Sequence, residues 1–153
     1  MMTDSYADFD WLAEQAFGPA RTREVEGVLW QHVFALPKWY FIARGEFPNI
    51  HPYVAKAEGV AYGQFMIRAF TDTDRLYRFC VENELQAEGA DALILELPTD
   101  SVLDYLDQFI SSDVFGIWFN SNTGSKGFFS PLAQLRPIRD YVKSLPAQDL
   151  LPF

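Results

Sequence analysis

"ALILELPTDSVLDYLDQFISSDVFGIWFN", residues 92–120, is the stretch on which the fold turns. It opens with the apolar run 92–97, which reads as a strand. Pro98 and Thr99 then interrupt it, with Thr99 placed to cap a helix. Val102, Leu103, Leu106, Phe109 and Ile110 recur at i, i+1, i+4, i+7 and i+8, the stripe of an amphipathic helix over 99–112. Asp100, Asp104 and Asp107 fall on the opposite, solvated side. A second apolar run, 114–120, closes the unit as strand–helix–strand.

The pattern extends both ways. "VAYGQFMIRAF" at 60–70 is a strand candidate, and Gly63 within it suggests a bulge or close backbone approach. A helix over 72–86 follows. Thr71 is placed as its N-cap, Asp74 stands three residues on, and Leu76, Phe79 and Cys80 share one face. Downstream, Ser130 and Pro131 suit the N-cap and first position of a helix over 131–145, which Pro137 should break or kink after Leu135. Strands thus alternate with helices from residue 60 onward, and crossovers of this length favour parallel neighbours. "KWYFIAR" at 38–44 is apolar on both faces and suits an interior strand. Residues 52–56 add a short strand, and the strands near 38–44 and 52–56 can also be read as antiparallel edges of the sheet. Residues 4–17 carry Phe9, Leu12, Ala13 and Ala16 at helical spacing, while 20–35 can be read as helical or, in its later part, extended. The expected fold is one α/β domain over 1–153, a mixed, mostly parallel sheet with helices packed on it. Residues 1–20 form an N-terminal helical extension and 146–153 a tail.

Bulk properties agree with one domain. A chain of 153 residues can bury roughly 68–70% of its unfolded surface, enough for a core without staples. The aromatic share of 16% argues against disorder. A net charge of -9 disfavours polyanions, so neither nucleic acid nor an anionic membrane is an expected partner. One cysteine, Cys80, excludes an internal disulfide and a cysteine-based zinc site. The start, "MMTDSYADFDWLAEQ", carries acids where a signal peptide carries basic residues, and no apolar run reaches membrane-spanning length. The expected setting is cytoplasmic.

Chemistry-bearing residues do not assemble into a known set. His32 sits among apolar residues and His51 in a proline-rich loop, without metal-ligand spacing. Cys80 lies on the apolar face of its helix, away from the electropositive, exposed positions that activate thiols. No GxSxG turn is present. The Asp100 and Asp104 pair belongs to a solvated helix face. No cofactor, metal or catalytic residue is therefore expected.

"WFNSNTGSKGFF", residues 118–129, holds the remaining candidates. Lys126 is followed by Gly127, not Ser or Thr, and Gly124 stands two residues before it, so the phosphate-loop spacing fails. Gly124 and Gly127 give GxxG, not the dinucleotide fingerprint. Asn, Ser and Gly here make a polar turn by default. Yet a loop after a parallel strand lies where open α/β sheets bind ligands. Trp118, Asn120, Ser125, Lys126 and Phe128 are the candidate binding residues. The aromatics Trp39, Tyr40, Phe41, Trp118, Phe119, Phe128 and Phe129 are either core or an exposed patch for a protein partner.

The segments "AFTDTDRLYRF" (69–79), "LILELPTDSVLDYL" (93–106) and "GIWFN" through "FFSPLAQL" (116–135) together resemble the SseB N-terminal domain family. The likeness spans roughly residues 28–145 and rests on caps, strand ends and a loop; the opening helix has no counterpart in it. It implies a small cytosolic α/β domain used for interaction and implies no reaction. The leading expectation is a non-catalytic protein-interaction or regulatory domain that binds another protein, a toxin-immunity role being one form of it. The alternative is a small-ligand sensor for an amino acid or nucleotide, using the 120–127 loop. Self-association as a homo-oligomer is the third partner class.

Overall fold

The computed structural model describes residues 9–19, 22–46, 48–57, 63–85, 94–124 and 126–145. Five helices and a seven-stranded sheet form one α/β unit. The helices are α1 (Phe9–Phe17), α2 (Arg23–Ala35), α3 (Thr73–Glu82), α4 (Thr99–Leu106) and α5 (Leu135–Lys143). The strands are β1 (Lys38–Arg44), β2 (His51–Pro52), β3 (Val54–Lys56), β4 (Phe65–Phe70), β5 (Ile94–Pro98), β6 (Gly116–Phe119) and β7 (Phe128–Pro131). The tail at 146–153 and most of the strand candidate before Phe65 lie outside the described residues.

The sheet is mixed, but it is not mostly parallel as the alternation suggests. Among the described residues, β4–β6 is the single parallel pairing. The pairs β1–β2, β1–β4, β1–β5, β3–β4 and β6–β7 are antiparallel. The physical reason is an insertion. β4, β5 and β6 do run in one direction, as crossovers through α3 and α4 require. However, β1 runs against both β4 and β5 and lies between them, which converts two parallel neighbours into two antiparallel pairs. β1 meets β4 at Tyr40↔Phe70 and Phe41↔Ala69. Further along, the 51–56 segment wedges between them, as Tyr53 N–H donates to Ile42 O (2.8 Å) and Arg68 N–H to Tyr53 O (3.1 Å).

The two faces differ. Trp39, Phe41, Ile67, Ala69, Ile117, Phe119 and Phe128 join the buried residues of α1, α2, α4 and α5 in the main core. Phe119 stacks on Phe128 at 5.0 Å, and Trp39 and Trp30 meet Phe119 edge-on at 5.0 and 6.3 Å. Each such ring pair adds about 0.5–1.5 kcal/mol beyond burial. On the opposite face, Ile42 and Phe70 pack against Leu76, Phe79 and Cys80 of α3. The opening helix is thus part of the core: Phe9, Leu12, Ala13 and Ala16 of α1 are all buried.

Several caps differ from expectation. Asp72, not Thr71, is the N-cap of α3; its carboxylate accepts from Arg75 N at 2.8 Å. Thr99 gives no side-chain cap to α4, because its hydroxyl donates to Leu36 O instead. Ser130 and Pro131 belong to β7, so the last helical region starts later, as a 3-10 turn at Leu132–Gln134 leading into α5. Pro137 does not break α5. It falls in the first turn, where an N–H has no intrahelical acceptor to lose.

Candidate functional site

β4 and β6 are parallel neighbours in register at Ala69↔Phe119, so their carboxyl ends lie side by side. The chain leaves β6 through Asn120, whose φ of 55° is left-handed, a region Asn tolerates better than most residues. Asn120 is buried and faces Thr71. Its Oδ1 accepts from Thr71 N–H at 3.1 Å, its Nδ2 donates to Thr71 Oγ1 at 3.0 Å, and its own N–H donates to Ala69 O at 2.9 Å. The turn beyond is pinned to α3: Asn122 Nδ2 donates to Arg75 O at 2.8 Å, and Thr123 N–H to Glu82 Oε1 at 3.0 Å. Trp118 Nε1 donates to Lys126 O at 2.8 Å and fixes the returning limb. Gly127 re-enters the sheet at φ 59°, where a Cβ would fall on the Phe119 carbonyl oxygen.

This turn is one wall of a cleft of about 630 Å³. Gly124, Lys126 and Gly127 line it from the turn, and Asp10, Glu14 and Phe17 from α1. Asp10 is engaged by Arg75 Nη2 at 3.1 Å. Glu14 and Lys126 stand on opposite walls, both exposed, and neither side chain pairs with any group among the described residues. Of the residues singled out from sequence, Lys126 reaches the cleft, whereas Trp118, Asn120 and Phe128 do not line it. Asn120 joins strand ends, Phe128 is buried in the main core, and Ser125 lies outside the described residues. The α1 contributors carry no local sequence signal, since only the fold brings positions 10–17 to positions 124–127.

A second feature lies on the α3 face of the sheet. Trp118 is half-buried and sits opposite Phe129 across the β6–β7 pair. Arg68 is buried beneath it, with its guanidinium 4.4 Å from the Trp118 ring centre and 5.8 Å from that of Phe79. Nη1 donates to Ser121 Oγ (3.1 Å) and Nη2 to Lys56 O (2.6 Å), while Nε has no acceptor. No carboxylate among the described residues pairs with this cation. Burial lowers its pKa, yet a guanidinium starts so high that it stays charged.

The remaining titratable groups fill structural positions. His32 is half-buried, its Nε2 lacks a partner, and desolvation lowers its pKa. His51 lies in β2, with Nδ1 3.1 Å from Pro52 O. Cys80 is buried, and burial raises its pKa, opposite to what a nucleophilic thiol needs. Asp104 and Asp107 share Arg136 at 2.8 and 2.6 Å on the solvated side of α4. Among the described residues there is no cluster of metal-ligating side chains, and no helix is long and apolar enough to cross a membrane. In comparison with known proteins, the chain matches no family model, no curated protein and no solved structure.

Proposed function

We propose that this chain is a non-catalytic, cytoplasmic interaction domain that docks another protein against the Trp118 end of its sheet. The observation that carries the reading is the setting of Trp118. It is half-buried on the α3 face of the sheet, and it is locked from beneath by Arg68 and at its edge by Lys126 O. A rigid aromatic beside an arginine is the composition of interface hot spots, because little side-chain entropy is lost when a partner covers them. The acidic balance of -9 favours a basic partner, toxins with a cognate immunity protein among them. The likeness of residues 69–79, 93–106 and 116–135 to SseB-type domains supports the same class.

The test is affinity capture from native lysate at physiological salt with the wild-type chain and Trp118→Ala side by side, after both are shown to be folded. The expected result is a partner retained by the wild type and lost by the variant. Equal recovery by both, or recovery by neither, would overturn docking at this face. A second reading, a small-ligand site, is favoured by the cleft at α1.

A further inference from the structure

We infer that the cleft between α1 and the 124–127 turn binds a small zwitterion that carries a free ammonium and a free carboxylate, an amino acid or short peptide. This site is separate from the Trp118 surface and does not depend on docking there. At about 630 Å³ the cleft falls within the size range of small-molecule sites. Its place is also the expected one, beside the loop that leaves the carboxyl end of β6 next to its parallel neighbour β4.

The charges inside the cleft define the ligand. One wall offers the Glu14 carboxylate. The same wall holds the carboxyl end of α1, through Phe17 and Gly18, and no basic residue occupies the last turn of that helix. The carboxyl end of a helix is the negative end of its dipole and favours a cation. The opposite wall offers Lys126. Asp10 is held by Arg75, so among the described residues one carboxylate and one ammonium are left facing the space without meeting each other. A cation alone would leave Lys126 unmatched, and an anion alone would leave Glu14 unmatched. A zwitterion satisfies both. The Phe17 ring, stacked on Phe129 at 6.3 Å, gives an apolar wall between the poles. The turn itself is anchored by Trp118 and by α3, so binding orders little that is not ordered already. The cleft has room for more than one residue, which makes peptide and free amino acid the two sources to separate.

The experiment is a titration of the isotopically labelled full chain, read on the amide signals of Gly124, Lys126 and Gly127. Four probes are used: alanine, trialanine, trialanine blocked at both ends, and spermidine. Saturable shifts with alanine, trialanine or both, and none with the blocked peptide, are expected. Saturation by alanine assigns the free amino acid; saturation by trialanine alone assigns the peptide. Glu14→Gln and Lys126→Met should each raise Kd about tenfold, the scale of one charge-assisted hydrogen bond. Both side chains are exposed, so the rest of the spectrum should stay unchanged. No saturable shift at millimolar alanine or trialanine would overturn the site. Equal binding of the blocked peptide, or binding of spermidine as tight as that of the zwitterions, would overturn the two-pole arrangement.

Discussion

Asn120 and Thr71 hold each other across the carboxyl ends of two parallel strands: Thr71 N–H donates to Asn120 Oδ1 and Asn120 Nδ2 donates to Thr71 Oγ1. Both residues are buried. Asn120→Ala should therefore cost about 2–4 kcal/mol, since it leaves a buried N–H without an acceptor and puts alanine in left-handed backbone. Urea denaturation measures this. A loss below about 0.5 kcal/mol, the level of an ordinary surface change, would show that the pair carries no weight.

The two glycines of the turn should respond differently to alanine. At Gly127 the new methyl collides with the Phe119 carbonyl, whereas at Gly124 (φ 85°) it meets open space. Gly124→Ala should cost about 1–2 kcal/mol, the left-handed penalty alone, and Gly127→Ala distinctly more. Thermal melts of the two variants give the comparison, and equal melting points would refute it.

Leu12 is fully buried in α1. Leu12→Ala should destabilise the whole domain by about 2–5 kcal/mol, as removal of a core leucine does elsewhere. Tryptophan fluorescence and far-ultraviolet dichroism should still unfold in one transition. A separate early transition would mean that α1 detaches as an independent appendage.

Acid should expose the cost of burying His32. Its folded pKa lies below the ordinary 6.5, so the unfolded chain takes up the proton first as pH falls. The stability it affects is complete above the unfolded value and declines as pH drops below it. Between pH 7 and pH 5 the wild type should lose more stability than His32→Gln, measured by parallel denaturant curves. Parallel losses would remove His32 from the account.

Much of the fold was legible because periodicity is a local signal. The stripe on 99–112 and the runs at 38–44, 60–70 and 114–120 correspond to α4, β1, β4 and β6, with β4 starting only at Phe65. Even the common direction of β4, β5 and β6 followed from crossover length. What periodicity cannot contain is which strands become neighbours, and there β1 entered between β4 and β5. The β6–β7 hairpin was missed for another reason. Ser130 and Pro131 give "FFSP" the look of a helix start, while aromatic pairs on both sides of an Asn/Gly turn are also a hairpin signal. The caps at Thr71 and Thr99 failed because their hydroxyls found tertiary partners, Asn120 and Leu36. Lys126 was found from its turn; Glu14 had no neighbour in the sequence to announce it.

The place of β1 has a bearing on how the protein is made. It is the first of the described strands to be synthesised and an interior one, and its flanking partners β4 and β5 are completed only at Phe70 and Pro98. A growing chain therefore carries "KWYFIAR", apolar on both faces, with one edge waiting for β4 until Phe70 and the other for β5 until Pro98. Such a segment can recruit the same segment of a neighbouring chain, and the charges at its ends, Lys38 and Arg44, are the kind that keep chains apart. Refolding yield should consequently fall with protein concentration and rise when β5 is free to join early.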